Sequence, residues 1–75
     1  MDYILTIDIG NTRAKYAVFN NDSIIETSVF NPYNDDLALL TQKFPQIKCC
    51  IISSVGGKLE ECKKQLQNIE IITLS

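Results

Sequence analysis

Two kinds of hydrophobic pattern run along the chain. Residues 3–9, YILTIDI, are nearly all apolar or β-branched, which predicts a central strand with both faces buried. Gly10-Asn11-Thr12 interrupts the run with turn chemistry. Residues 13–20, RAKYAVFN, predict a second strand, with Lys15, Ala17 and Phe19 on one face and Tyr16 and Val18 on the other. Asn20-Asn21-Asp22-Ser23 is a second turn cluster, and residues 24–30, IIETSVF, predict a third strand. Three strands joined by tight turns make an antiparallel meander.

After Phe30 the period changes. Asn34 or Asp35 can cap a helix, with Asp35 and Asp36 favourable near its positive end. Leu37, Leu40 and Phe44 form one apolar stripe, Lys43 suits the last turn, and Pro45 stops the helix. Residues 47–54, IKCCIISS, predict a buried strand, and Gly56-Gly57 opens a loop. A second helix is expected over residues 58–67, with Leu59, Cys62 and Leu66 as its stripe and a Glu60–Lys64 pair four apart. Asn68 can end it, and residues 69–74, IEIITL, predict the last strand. The order β-β-β-α-β-α-β is an α/β pattern in a single domain spanning residues 1–75. The last two strands flank a helix, so they should lie parallel with a right-handed crossover.

Composition narrows the chemistry. Hydrophobic residues make up 45% and charged residues 21%, with a net charge of −2, an ordinary globular balance. No basic block appears, so nothing favours nucleic acid. Tyr3, Tyr16 and Phe19 near the cations read as packing rather than as a stacking platform for bases. No apolar run approaches the ~20 residues of a membrane helix. The N-terminus MDYILTIDIG carries Asp2 where a leader would carry a cation. With three cysteines and no histidine, a reduced, cytoplasmic protein is expected. Cys49 and Cys50 are adjacent in a strand and point to opposite faces, so they build no metal site and read as small hydrophobes, like Cys62. Without histidine, no Ser-His-Asp or Cys-His arrangement exists.

Two stretches carry candidate chemistry. In IDIGNTRAK, residues 7–15, Asp8 is the one charged residue of an apolar strand. A carboxylate there is costly unless it is paired, hydrogen-bonded or near a metal. Gly10 allows a positive φ and close approach of a ligand, Asn11 and Thr12 add donors and acceptors, and turn N–H groups can face an anion. Lys15 can meet a phosphate as a point charge. A plain Gly-Asn hairpin accounts for the same residues, and by turn chemistry alone it is slightly ahead. The second stretch is Ser53-Ser54-Val55-Gly56-Gly57, where a strand leads into a helix at the edge that ligands favour in α/β sheets. Ser53 and Ser54 could line a site, although a polar loop with a serine cap is an equal reading. Lys58 after Gly57 does not make a Walker A loop, because the spaced first glycine and the Ser/Thr after lysine are missing.

IDIGNTRAKYAVF resembles the first phosphate motif of type III pantothenate kinases, D-x-G-N-T followed by a cation and a hydrophobic strand. CIISSV resembles a later segment of the same family, also labelled Bvg accessory factor. Two motifs in register reverse the preference for a plain hairpin. The family belongs to the superfamily of acetate and sugar kinases, heat-shock chaperones and actin. The resemblance implies half of a ribonuclease-H-like fold, a five-stranded mixed sheet in the order 3-2-1-4-5. It implies an enzyme that uses ATP with Mg2+ to phosphorylate pantothenate in coenzyme A synthesis, with K+ or NH4+ as a further cation. On this resemblance Asp8 holds the metal, while Gly10, Asn11, Thr12 and Lys15 meet the nucleotide phosphates. No catalytic residue is expected in this chain: the family's base lies in a G-x-D-R motif of a second domain, beyond Ser75. The chain is therefore expected to be inactive alone, and to self-associate or form a homodimer as family members do. The alternatives are a non-catalytic regulatory or binding module of the same fold, matching the label of transcriptional activator, and another kinase of the superfamily. Gly-Gly after Ser-Ser-Val departs from the proline that members often have nearby.

Overall fold

The computed structural model describes residues 2–54 and 59–74, the side chain of Ser54 excepted. The elements are β1 (Tyr3–Ile9), β2 (Ala14–Asn20), β3 (Ser23–Phe30), α1 (Asp36–Lys43), β4 (Ile47–Ser54), α2 (Leu59–Gln65) and β5 (Glu70–Leu74). They form a five-stranded mixed sheet in the order β3-β2-β1-β4-β5, as expected. β2 is antiparallel to β1 and β3, while β4 is parallel to β1 and β5.

Both crossovers, β3-α1-β4 and β4-α2-β5, run across the sheet in one direction. Right-handed connections then put both helices on the same face. Leu5, Ile7 and Ile9 of β1, Val18, Cys50 and Ile52 meet Leu37, Leu40, Cys62 and Leu66 there, and all are buried. Tyr3 packs on Phe44 and Tyr16 on Phe30, with ring centroids 6.1 and 6.0 Å apart. The apolar run of β1 is therefore not buried on both sides. Ile4 and Asp8 are exposed and Thr6 is half-buried, because this side of the sheet carries no helix among the described residues.

Two further expectations are corrected. Asp35 occupies the N-cap position of α1, but neither it nor Asn34 caps the helix through its side chain. The cap comes from α2: Gln65 Oε1 accepts the N–H groups of Leu37 and Ala38 at 3.0 and 3.2 Å, and its Nε2 donates to the Pro32 carbonyl at 3.0 Å. Asp36 instead accepts from the Asn31 N–H at 3.1 Å. In α2 the ion pairs are Glu60–Lys63 and Glu61–Lys64, three apart, rather than Glu60–Lys64. The helix is described from Leu59, so Lys58 lies outside the described residues.

The turns follow their sequences. Asn21 closes the β2–β3 hairpin at φ 56°, and Asn68 turns the chain after α2 at φ 65°, both tolerable for asparagine. β3 carries a bulge where Val18 pairs with Glu26 and Phe19 with Ile24, leaving Ile25 as the extra residue. The C-terminal end of α1 is tied to the sheet. Lys43 Nζ and the Tyr16 hydroxyl each reach Glu26 at 2.6 Å, and these two bonds hold the Glu26 carboxyl below its usual range. No described helix is long and apolar enough to cross a membrane.

Candidate functional site

The register of the three central strands assembles the site. Asp8 near the end of β1 pairs with Lys15 near the start of β2, and across the parallel ladder with Ser53 of β4. Lys15 pairs onward with Val29 and Ser53 with Leu74. Cross-strand partners share a face. Lys15, Asp8 and Ser53 therefore form one polar row on the side of the sheet opposite the helices, and all three are exposed. An open cleft of about 420 Å3 runs over the row, lined by Thr6, Asp8, Lys15, Ala17, Ile51 and Ser53 among others. Asp8 sits in solvent, so the burial cost anticipated for its carboxylate does not arise. Among the described residues, the ion pairs involve neither Asp8 nor Lys15, which leaves both charges available to a ligand.

Above the row stands the β1–β2 turn, residues 10–13. The Gly10 N–H donates to the Arg13 carbonyl at 2.8 Å, closing the hairpin. That N–H is thus spent on the turn. Nor does Gly10 sit in the left-handed region, and a Cβ there would meet only the Arg13 carbonyl oxygen at 3.4 Å. What glycine provides is an uncovered backbone. Asn11 and Thr12 are exposed, and among the described residues their N–H groups have no hydrogen-bond partner. Two free N–H groups and one ammonium near a carboxylate can receive an anion together with a cation.

The two serines separate. Ser53 joins the row, whereas Ser54 pairs through its backbone with Ile9 and its side chain lies outside the described residues, as do Val55, Gly56 and Gly57. Among the described residues no cluster of three metal-ligating side chains exists. Asp8 offers a single carboxylate, a donor set that suits a cation holding most of its ligands as water and phosphate oxygens. Cys49 is half-buried on the open face and Cys50 fully buried on the other, as their adjacency requires. Burial pushes the Cys50 thiol up to about 12, the bland role of a packed hydrophobe.

A larger cleft was not anticipated from the sequence. About 680 Å3 opens between the turn and the β3–α1 loop, lined by Thr12, Arg13, Phe30, Asn31, Pro32 and Tyr33 among others. The loop is pinned: Asn31 Oδ1 accepts the Tyr33 N–H at 2.9 Å, and the Asn31 carbonyl accepts the Asn34 N–H at 3.1 Å. The signal lay in Asn31-Pro32-Tyr33-Asn34, turn chemistry following a strand parallel to β1 and so reaching the same sheet edge.

The family model for type III pantothenate kinase matches residues 4–72. A type III pantothenate kinase of Flavobacterium johnsoniae is 42% identical over 55 residues, 71% of this chain and 22% of the relative. That of Flavobacterium psychrophilum is 45% identical over 60 residues, 77% of this chain and 24% of the relative. A third, from Christiangramia forsetii, is 43% identical over 53 residues, 68% and 22% of the two lengths. The chain therefore spans less than a quarter of the length of the curated relatives it matches. Most of the chain agrees with a single family model and the sheet order matches: the chain belongs to the type III pantothenate kinase family.

Proposed function

We propose that this chain is the phosphate-binding part of a kinase that transfers the γ-phosphoryl group of ATP to a hydroxyl of pantothenate, the entry to coenzyme A synthesis. The supporting observation is the Lys15–Asp8–Ser53 row beneath the free N–H groups of Asn11 and Thr12. Phosphoryl transfer asks mainly for positioning and charge neutralisation. The two N–H groups bind phosphate oxygens, Lys15 lowers the cost of bringing the anion to the sheet edge, and Ser53 adds a hydroxyl on the far side of Asp8. Asp8 would hold a divalent cation, which when bound neutralises charge on the phosphates. No described acidic residue besides Asp8 lines the cleft over the row, so no second carboxylate of the described residues stands ready there as a base for the attacking hydroxyl. The chain alone is then a binding half-site without kinase activity.

That same absence favours the second reading, a binding module without catalysis. Equilibrium dialysis with ATP, with and without magnesium, tests the site. Magnesium-dependent binding lost in Asp8→Ala and weakened about tenfold in Lys15→Ala, or about 1.4 kcal/mol, is the expected result. Equal binding by wild type and both variants contradicts it. A coupled assay of the 75-residue chain should form no phosphopantothenate, and substantial product would refute the half-site reading.

A further inference from the structure

The phosphate row leaves the larger cleft unused. Its volume of about 680 Å3 lies within the range of small-ligand sites. Val29, Phe30, Pro32 and Tyr33 give it an apolar wall, and Tyr33 and Val29 are 65% and 57% exposed. Exposed apolar side chains that converge on one hollow, rather than scatter singly, mark a binding surface. The wall is already held in place. The Phe30 ring packs on Tyr16, Gln65 Nε2 donates to the Pro32 carbonyl, and the Asn31 side chain accepts the Tyr33 N–H. A preformed hollow loses little freedom when it is filled.

Among the described residues, Arg13 is the one charged side chain that lines the cleft, and it makes no ion pair. Asp36, the carboxylate bonded to this loop, accepts the Asn31 N–H at 3.1 Å and is absent from the lining. Thr12, next to Arg13 in the turn, adds a hydroxyl. A guanidinium presents a planar fork of donors that matches a carboxylate, and it stacks on aromatic rings. One cation balances one negative charge, so a monoanion suits the cleft better than a phosphate, whose second charge would stand unpaired. We infer that this cleft binds a small aromatic carboxylate. Its carboxylate accepts from the Arg13 guanidinium and the Thr12 hydroxyl, and its ring lies on Tyr33, Pro32 and Val29. The site is separate from the Lys15–Asp8–Ser53 row and holds whether or not the chain is a kinase.

Phenylacetate, followed by amide chemical shifts of the labelled chain at neutral pH, tests this. Arg13, Asn31 and Tyr33 should shift saturably with a Kd of about 1 mM, ordinary for a ligand of about ten heavy atoms. Arg13→Gln should weaken binding about tenfold and Tyr33→Ala about fivefold. Both residues are exposed, and unchanged shifts elsewhere verify the fold. Lys48→Gln removes a charge at the opposite end of the sheet and should leave binding unchanged. 2-Phenylethylamine, the same ring carrying a cation, should not saturate. Inorganic phosphate should act about tenfold more weakly at Asn31 and Tyr33. Phenylacetate shifts that never saturate, that survive Arg13→Gln unchanged, or that are confined to Lys15 and Ser53 overturn the proposal. So does equal binding of the amine, or of inorganic phosphate, at Asn31 and Tyr33.

Discussion

Removing the Gln65 carboxamide strands two N–H groups of α1 at once. Leu37 and Ala38 both donate to Gln65 Oε1, and Gln65 Nε2 fixes the Pro32 carbonyl. Gln65→Met keeps the volume and loses all three bonds. A loss of about 1–3 kcal/mol in urea unfolding is expected, since partly buried groups are left without partners. Asp35→Ala, which removes no cap bond, should change stability by less than about 0.5 kcal/mol. The buried thiols Cys50 and Cys62 set the alkaline limit. Burial raises the folded pKa of Cys50 from 9.0 to about 12. Stability is therefore full below pH 9 and falls as pH rises towards 12. Burial and the Glu26 hydrogen bond raise Tyr16 from 10.0 to about 12, so it contributes to the same fall from pH 10 upward. Burial raises the Cys62 thiol as well, so Cys50→Ala should make the fall in stability above about pH 9 shallower without abolishing it, read by urea unfolding at a series of pH values. An unchanged pH dependence would remove Cys50 from this account.

At the scale of elements, local pattern and tertiary partner divide the work. The strands and both hairpins were legible because β-branched runs and turn clusters are local signals. β1 and β4 have the bounds that their apolar runs imply. The stripe Leu37–Leu40 was equally legible and is buried. Leu40→Ala should cost about 2–5 kcal/mol, because it opens a cavity between α1 and the sheet. The cap of α1 was not legible, because its partner lies 28 residues away and only the packing of α2 brings it near. The bulge at Ile25 was hidden for a related reason: it is a property of the β2–β3 pairing and leaves no mark on either strand alone. Asn21→Val places a β-branched residue at φ 56° and should cost about 1–2 kcal/mol, whereas Asn21→Gly should be nearly neutral. Thermal melts of the two variants separate backbone strain from lost side-chain contacts.

For the molecule as a whole, crossover handedness decides what the pattern of β1 could not. An apolar strand looks doubly buried, but two crossovers in one direction put both described helices on one face, and among the described residues Ile4 and Asp8 emerge on the other. The same geometry exposes the candidate site. Asp8 and Lys15 could be paired from the hairpin in the sequence, while Ser53 joined them only through the parallel register of β4. The cleft beside Tyr33 depends on how a pinned loop sits against the turn, which no local pattern encodes. The central claim is that the turn at residues 10–13 and the row beneath it receive phosphate. Amide chemical shifts of the labelled chain, followed while ATP and magnesium are added, test this most directly. The account predicts saturable shifts at Asn11, Thr12, Lys15 and Ser53 that vanish in Asp8→Ala. Shifts confined to the Asn31–Tyr33 loop, or unchanged by the loss of Asp8, would contradict it.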